Sequence, residues 1–85
     1  MKEFKYVITD AEGIHARPAT MFVKKAAGFK SDISIETAGK KVNAKGVLGV
    51  MGLGAKQGAE ITVIVEGEDE ETAATELETF LKENL

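Results

Sequence analysis

Apolar and polar positions alternate from Lys2 to Thr9, placing Phe4, Tyr6 and Ile8 on one face. That pattern predicts a strand with one wet side. Asp10-Ala11-Glu12-Gly13 is turn chemistry. The period changes over Ala16–Ala27, where Ala19, Phe22, Val23 and Ala26 recur at helical spacing and Thr20 and Lys24 fall on another face. Gly28 is the expected stop. Alternation returns at Asp32–Thr37, with Ile33 and Ile35 inward, and Ala38-Gly39 can close a tight hairpin onto Lys40–Ala44, where Val42 points to the core. Gly46–Met51 is short, apolar and glycine-interrupted, and periodicity leaves strand and short helix both open. Gly52–Gly58 reads as a loop. Glu60–Glu66 reads as a strand with Ile61, Val63 and Val65 inward. Asp69 is the expected N-cap of a last helix, Glu70–Leu85, striped by Ala73, Ala74, Leu77, Phe80, Leu81 and Asn84.

Strands that alternate have one solvated face, so the sheet is expected to be antiparallel with its helices on one side. The fold class is therefore α+β, in two layers. No linker, repeat or low-complexity segment interrupts the pattern, and residues 1–85 read as one domain. At that length about 60% of the unfolded surface can be buried.

Composition removes several function classes. There is no Cys and a single His, so neither a disulfide framework nor a Cys/His metal site can be built, and no cofactor is called for. No run approaches the roughly 18 apolar residues of a membrane span, and no basic-then-apolar leader is present, which points to a cytoplasmic protein. A net charge of −3 argues against a nucleic-acid partner. The charge is uneven, however. Residues 66–78 hold seven acids and no base, whereas residues 15–56 hold eight of the 11 bases and only Asp32 and Glu36 as acids. The first two-thirds can meet an acidic partner, or its lysines are simply solvated.

The chemistry concentrates in Gly13-Ile14-His15-Ala16-Arg17-Pro18-Ala19, which holds the one histidine and the one proline. Proline suits the first turn of a helix, so His15 is expected at or just before a helix start, where free N–H groups favour an anion. Arg17 adds a fork of donors for a phosphate. A lone histidine is most often structural, but packing alone does not ask for this combination. A general acid–base role needs a nucleophile, a metal or a second titratable group nearby, and the sequence offers no Cys, no serine motif and no close acid pair. The remaining reading makes His15 itself a nucleophile toward phosphorus, its neutral form favoured by the helix start and Arg17. The same donors then hold the phosphoryl product.

That seven-residue stretch resembles the active stretch of HPr, the histidine-containing phosphocarrier family of the bacterial sugar phosphotransferase system. Asn43-Ala44-Lys45, the run to Gly54 and Gly58-Ala59-Glu60 are similar too, at collinear spacing over the whole chain. The resemblance implies an open-faced sandwich: a four-stranded antiparallel sheet, ordered first, fourth, second, third, covered on one face by three helices. Gly46–Met51 would be the short middle helix. It implies that His15 accepts a phosphoryl group on Nδ1 from enzyme I, charged by phosphoenolpyruvate, and passes it to IIA domains of sugar permeases. Ala16 and Arg17 would bind the phosphate. Val47, Leu48 and Met51 would form an apolar docking patch, ringed by Thr20 and Lys24. A six-residue element this apolar in so small a domain is also unsuited to burying every side chain. A nitrogen-branch regulatory carrier and a non-covalent binding module are the alternatives. A carrier presenting one face to several partners is expected to be monomeric. Two positions depart from the family: Gly46 and Gly52 stand where Gram-positive members often carry serines, and no hydroxyl residue lies between Asn43 and Ala59. Kinase regulation at Gly46 is therefore in doubt.

Overall fold

The computed structural model describes residues 1–14 and 16–85. The element order is β1 (Lys2–Val7), α1 (Ala16–Ala27), β2 (Asp32–Thr37), β3 (Lys40–Asn43), α2 (Val47–Gly52), β4 (Glu60–Glu66) and α3 (Glu70–Asn84). The strands form one antiparallel sheet in the order β1-β4-β2-β3. Each element expected from the pattern is present, and the open segment at Gly46–Met51 is helical from Val47 onward.

The register places apolar residues side by side on the covered face. Phe4 pairs with Val63 and Tyr6 with Ile61 across β1 and β4, while Ile33 pairs with Val65 and Ile35 with Val63 across β2 and β4. Ile33, Ile35, Ile61, Val63 and Val65 are fully buried, whereas Phe4 and Tyr6, on an edge strand, are half-buried. The other face carries Glu3, Lys5, Ser34, Glu36, Lys41 and Thr62, which explains the period of two.

The helices cover the apolar face with the expected stripes. α1 buries Ala19, Phe22, Val23 and Ala26, and also Pro18. α3 buries Ala73, Leu77, Phe80 and Leu81, while Ala74 and Asn84 are half-buried at its margin. Phe22 and Phe80 meet across the two helices with ring centroids 6.0 Å apart. Each fully buried Leu or Ile is worth about 2 kcal/mol of transfer free energy.

The hairpin is the two-residue type, with Ala38 at φ 51° and Gly39 at φ 81°. Two details differ from expectation. Gly28 follows α1 without a left-handed φ, and its N–H donates to the Lys25 carbonyl at 3.1 Å. Asp69 does precede α3, but its carboxylate makes no cap bond. It reaches instead to the segment between α1 and β2. There it accepts from the Lys30 N–H at 2.9 Å, the Ser31 N–H at 3.0 Å and the Ser31 hydroxyl. Ser31 is completely buried, so its hydroxyl needs a partner, and the carboxylate serves it better than a free helix end would. These bonds hold the Asp69 carboxyl below its ordinary range, the Ser31 hydroxyl contributing most.

Candidate functional site

The site is built where the loop after β1 rests on the loop before β4. Ile8 exchanges backbone bonds with this second loop: its N–H donates to the Ala59 carbonyl at 2.9 Å, and its carbonyl accepts from Gly58 at 2.8 Å. The Gln57 amide donates to the Thr9 carbonyl at 3.2 Å. The Asp10 carboxylate accepts from the Glu12 N–H at 2.8 Å, and the Asp10 carbonyl accepts from Gly13 at 2.9 Å. Ile14, buried, donates its N–H to the Ala55 carbonyl at 3.0 Å.

Gly13 is where the two loops come closest. Its φ is 69°, and a Cβ placed on it would lie 2.3 Å from the Ala55 oxygen and 2.7 Å from Lys56 Cα. Only glycine permits both the backbone conformation and that approach. Gly13 and Ile14 are thereby held on the second loop shortly before α1 begins at Ala16.

His15, the expected phosphoryl acceptor, lies outside the described residues. Ala16 and Arg17 open α1 and are exposed, and Pro18 completes the first turn, buried beneath them. No carboxylate stands in that turn. Its positive end therefore faces solvent without an acidic side chain of its own turn to neutralise it. Thr20 is half-buried with its hydroxyl donated to the Ala16 carbonyl at 2.8 Å, and Lys24 is exposed.

The three expected docking residues are not equivalent. Leu48 is 86% exposed, Met51 is 37% exposed, and Val47 packs partly against the core. Val50, on the opposite side of α2, is the residue that anchors the helix, at 1% exposure. α2 packs on α1, and α1 adds an apolar side chain the sequence reading overlooked: Met21, 43% exposed. Its signal was available, since Met21 falls off the buried stripe and lies at helical spacing between Arg17 and Lys24. Gly46 precedes α2 in extended conformation with no side chain to cap it.

Among the described residues no group of acids could hold a metal ion, and no helix is long and apolar enough to cross a membrane.

A four-stranded open sheet, a helix start without acids and a short helix exposing Leu48 and Met51 define a small α+β protein. Comparison with known proteins narrows this class. Residues 2–83 match the family model described as the PTS HPr component phosphorylation site. The phosphocarrier protein HPr of Lysinibacillus sphaericus is 49% identical over 83 residues, covering 98% of this chain and 94% of that one. A crystal structure of HPr from Thermoanaerobacter tengcongensis superposes with a TM-score of 0.92 at 44% identity, over 96% of this chain and 92% of that one. Crh of Bacillus subtilis, solved as a domain-swapped dimer, is 41% identical with a TM-score of 0.79, over 100% of this chain and 98% of that one. The chain belongs to the HPr family of phosphotransferase-system phosphocarriers.

Proposed function

We propose that residues 1–85 act as one domain that accepts a phosphoryl group on His15 from phospho-enzyme I and passes it to IIA domains of sugar permeases. The observation that carries this reading is the first turn of α1, which follows His15 directly, exposes Arg17 and contains no acid, in a chain matching the family over residues 2–83. In the step, the Nδ1 lone pair of neutral His15 attacks phosphorus. The bond from phosphorus to the donor nitrogen of enzyme I breaks, and the electron pair stays with the donor. The Arg17 guanidinium and the N–H groups at Ala16 and Arg17 receive the charge on the phosphoryl oxygens. The protein is a stoichiometric intermediate and not an enzyme in its own right. It needs no metal or cofactor of its own in this reading.

Leu48 is the centre of the docking surface in this proposal, with Met51 and Met21 beside it, Val47 supporting them from the core side, and Thr20 and Lys24 at the rim. Gly46 offers no hydroxyl, so phosphorylation by a serine kinase at the start of α2 is not part of the mechanism. The protein works in the cytoplasm as a monomer, a point that light scattering after gel filtration checks against the dimers solved for relatives.

Incubation with enzyme I and phosphoenolpyruvate is expected to give an acid-labile, base-stable phosphate, absent in His15→Ala. Label that survives this substitution would sink the assignment.

A further inference from the structure

The chain holds three methionines and neither Cys nor Trp, so thioethers are the side chains a peroxide oxidises most easily. Methionine ordinarily fills gaps in a core. Here the buried cluster is Ile, Leu, Val, Phe and Ala alone, and every methionine is on the surface: Met1 at 73%, Met21 at 43% and Met51 at 37% exposure. Their placement is uneven. The exposed large apolar side chains among the described residues are these three with Val7 and Leu48. Met1 precedes β1 and Val7 ends it, whereas Met21, Leu48 and Met51 lie on α1 and α2, which pack on each other. Met21 stands one helical turn from both Arg17 and Lys24, exposed like them. Two of the three large apolar side chains that these helices expose are therefore thioethers.

Exposure decides what oxidation does. A sulfoxide is polar, and in a core it would bury an unpaired oxygen and disrupt packing. On Met21 and Met51 the new oxygen stays hydrated. The anchors of the two helices are other residues: Ala19, Phe22, Val23 and Ala26 for α1, and Val50 for α2. The change falls on the surface and spares the fold.

We propose that Met21 and Met51 form a reversible oxidation site, where conversion to sulfoxide weakens the docking of phosphotransfer partners without unfolding the protein. This proposal rests on the reading of Leu48 and its neighbours as the docking surface. The oxidant is a peroxide. The sulfur lone pair attacks one peroxide oxygen, the S–O bond forms as the O–O bond breaks, and the proton on the transferred oxygen joins the departing hydroxide as water. Sulfur loses two electrons and the peroxide gains them. A dithiol-dependent sulfoxide reductase returns two electrons, the dithiol becoming a disulfide and the oxygen leaving as water.

The test is transfer from phospho-enzyme I to protein with and without hydrogen peroxide treatment, for wild type and for Met21→Leu/Met51→Leu, in which Met1 is the one sulfur left. Each protein is compared with its own untreated form, which cancels any effect of the leucines themselves. Peptide mass mapping locates the added oxygens. Treated wild type is expected to carry one oxygen on each of Met21 and Met51 and to show KM raised about tenfold, with kcat and melting temperature unchanged. Sulfoxide reductase with dithiothreitol should restore KM, and the treated double variant should match its untreated form. A flat KM with both sulfoxides in place would overturn the proposal. So would an equal rise in the double variant, a fall in melting temperature that accounts for the loss, or sulfurs at 21 and 51 that resist peroxide while Met1 is oxidised. Leu48→Asp separates this proposal from the reading beneath it. A raised KM in that variant with a flat KM on oxidation removes the oxidation site alone, whereas a flat KM in both removes the docking surface as well. An untreated wild type that takes up no label overturns the reading of His15 and this one with it.

Discussion

α1 begins on Ala16-Arg17-Pro18, with no carboxylate in its first turn, whereas α3 begins on Glu70-Glu71 directly after Asp69. Both starts carry the same backbone field, since both expose N–H groups that no residue of the helix can pair. In α3 the chain uses that field itself. Glu70 accepts from the Gly67 N–H at 3.3 Å and pairs with the Met1 ammonium at 2.6 Å, while Asp69 ties down Lys30 and Ser31. Those contacts hold both carboxyls below their ordinary range, for Glu70 mainly through the Met1 ammonium. In α1 no side chain of the first turn takes the acidic role, and the residues held before it, Gly13 and Ile14, are fixed by backbone packing on Ala55 and Lys56 instead. One start is occupied by carboxylates of the chain itself; the other carries none, and in the proposed function it is the one that receives an anion.

The sharpest way to break the contrast is at Gly13. Gly13→Ala adds left-handed strain and a backbone clash with Ala55, and is expected to cost about 3 kcal/mol, read as a lowered urea midpoint. Phosphotransfer should fall with it, because the loop can no longer sit on Ala55. Asp69→Ala attacks the closed start and should be the next most destabilising change, with transfer per folded molecule intact. It should also alter the acid limb. Carboxyls depressed in the folded state add stability that is complete above their unfolded values near pH 4 and is lost as pH falls through the folded ones. Acid unfolding followed by circular dichroism should therefore be steeper in wild type than in Asp69→Ala. Arg17→Ala sharpens the comparison from the other side: slower transfer, with a melting temperature within experimental scatter of wild type. The smallest effect belongs to α2. Gly46 precedes it uncapped, and a Cβ there would meet only the Asn43 carbonyl, at 3.7 Å. Gly46→Ser should stabilise by a few tenths of a kcal/mol, and an unchanged or lower melting temperature would contradict this.

Where one buried face repeats over several residues, the sequence was easy to read. β2, β4, α1 and α3 all do so, and their stripes are the residues found in the core, except Ala74 and Asn84 at the margin of α3. α2 was not legible, because six residues make less than two turns and glycines occupy three positions between 46 and 52. Only Val50 is deeply buried, too little to show a period. Asp69 was placed correctly but its task was not visible, since its partner Ser31 is 38 residues away. The same limit applies to the site. The His-Ala-Arg-Pro run announced chemistry, and the resemblance named it. That Gly13 abuts Lys56, and that Met21 joins Leu48 and Met51 in exposing apolar surface, depends on which loops and helices pack together.

The pairing of β1 with β4 has a consequence for how the protein is made. Residues 2–7 find their partners at 60–65, so the longest loop closure in the sheet must precede that ladder. The seat beneath Gly13 belongs to the same union of early and late segments. A ribosome-bound chain that has not yet reached Ala55, Lys56 and β4 has Gly13 and Ile14 but not the platform they pack on. If His15 acts as proposed, folding and phosphoryl competence should thus arrive in one kinetic event, and a half-synthesised chain should take no phosphate from the donor.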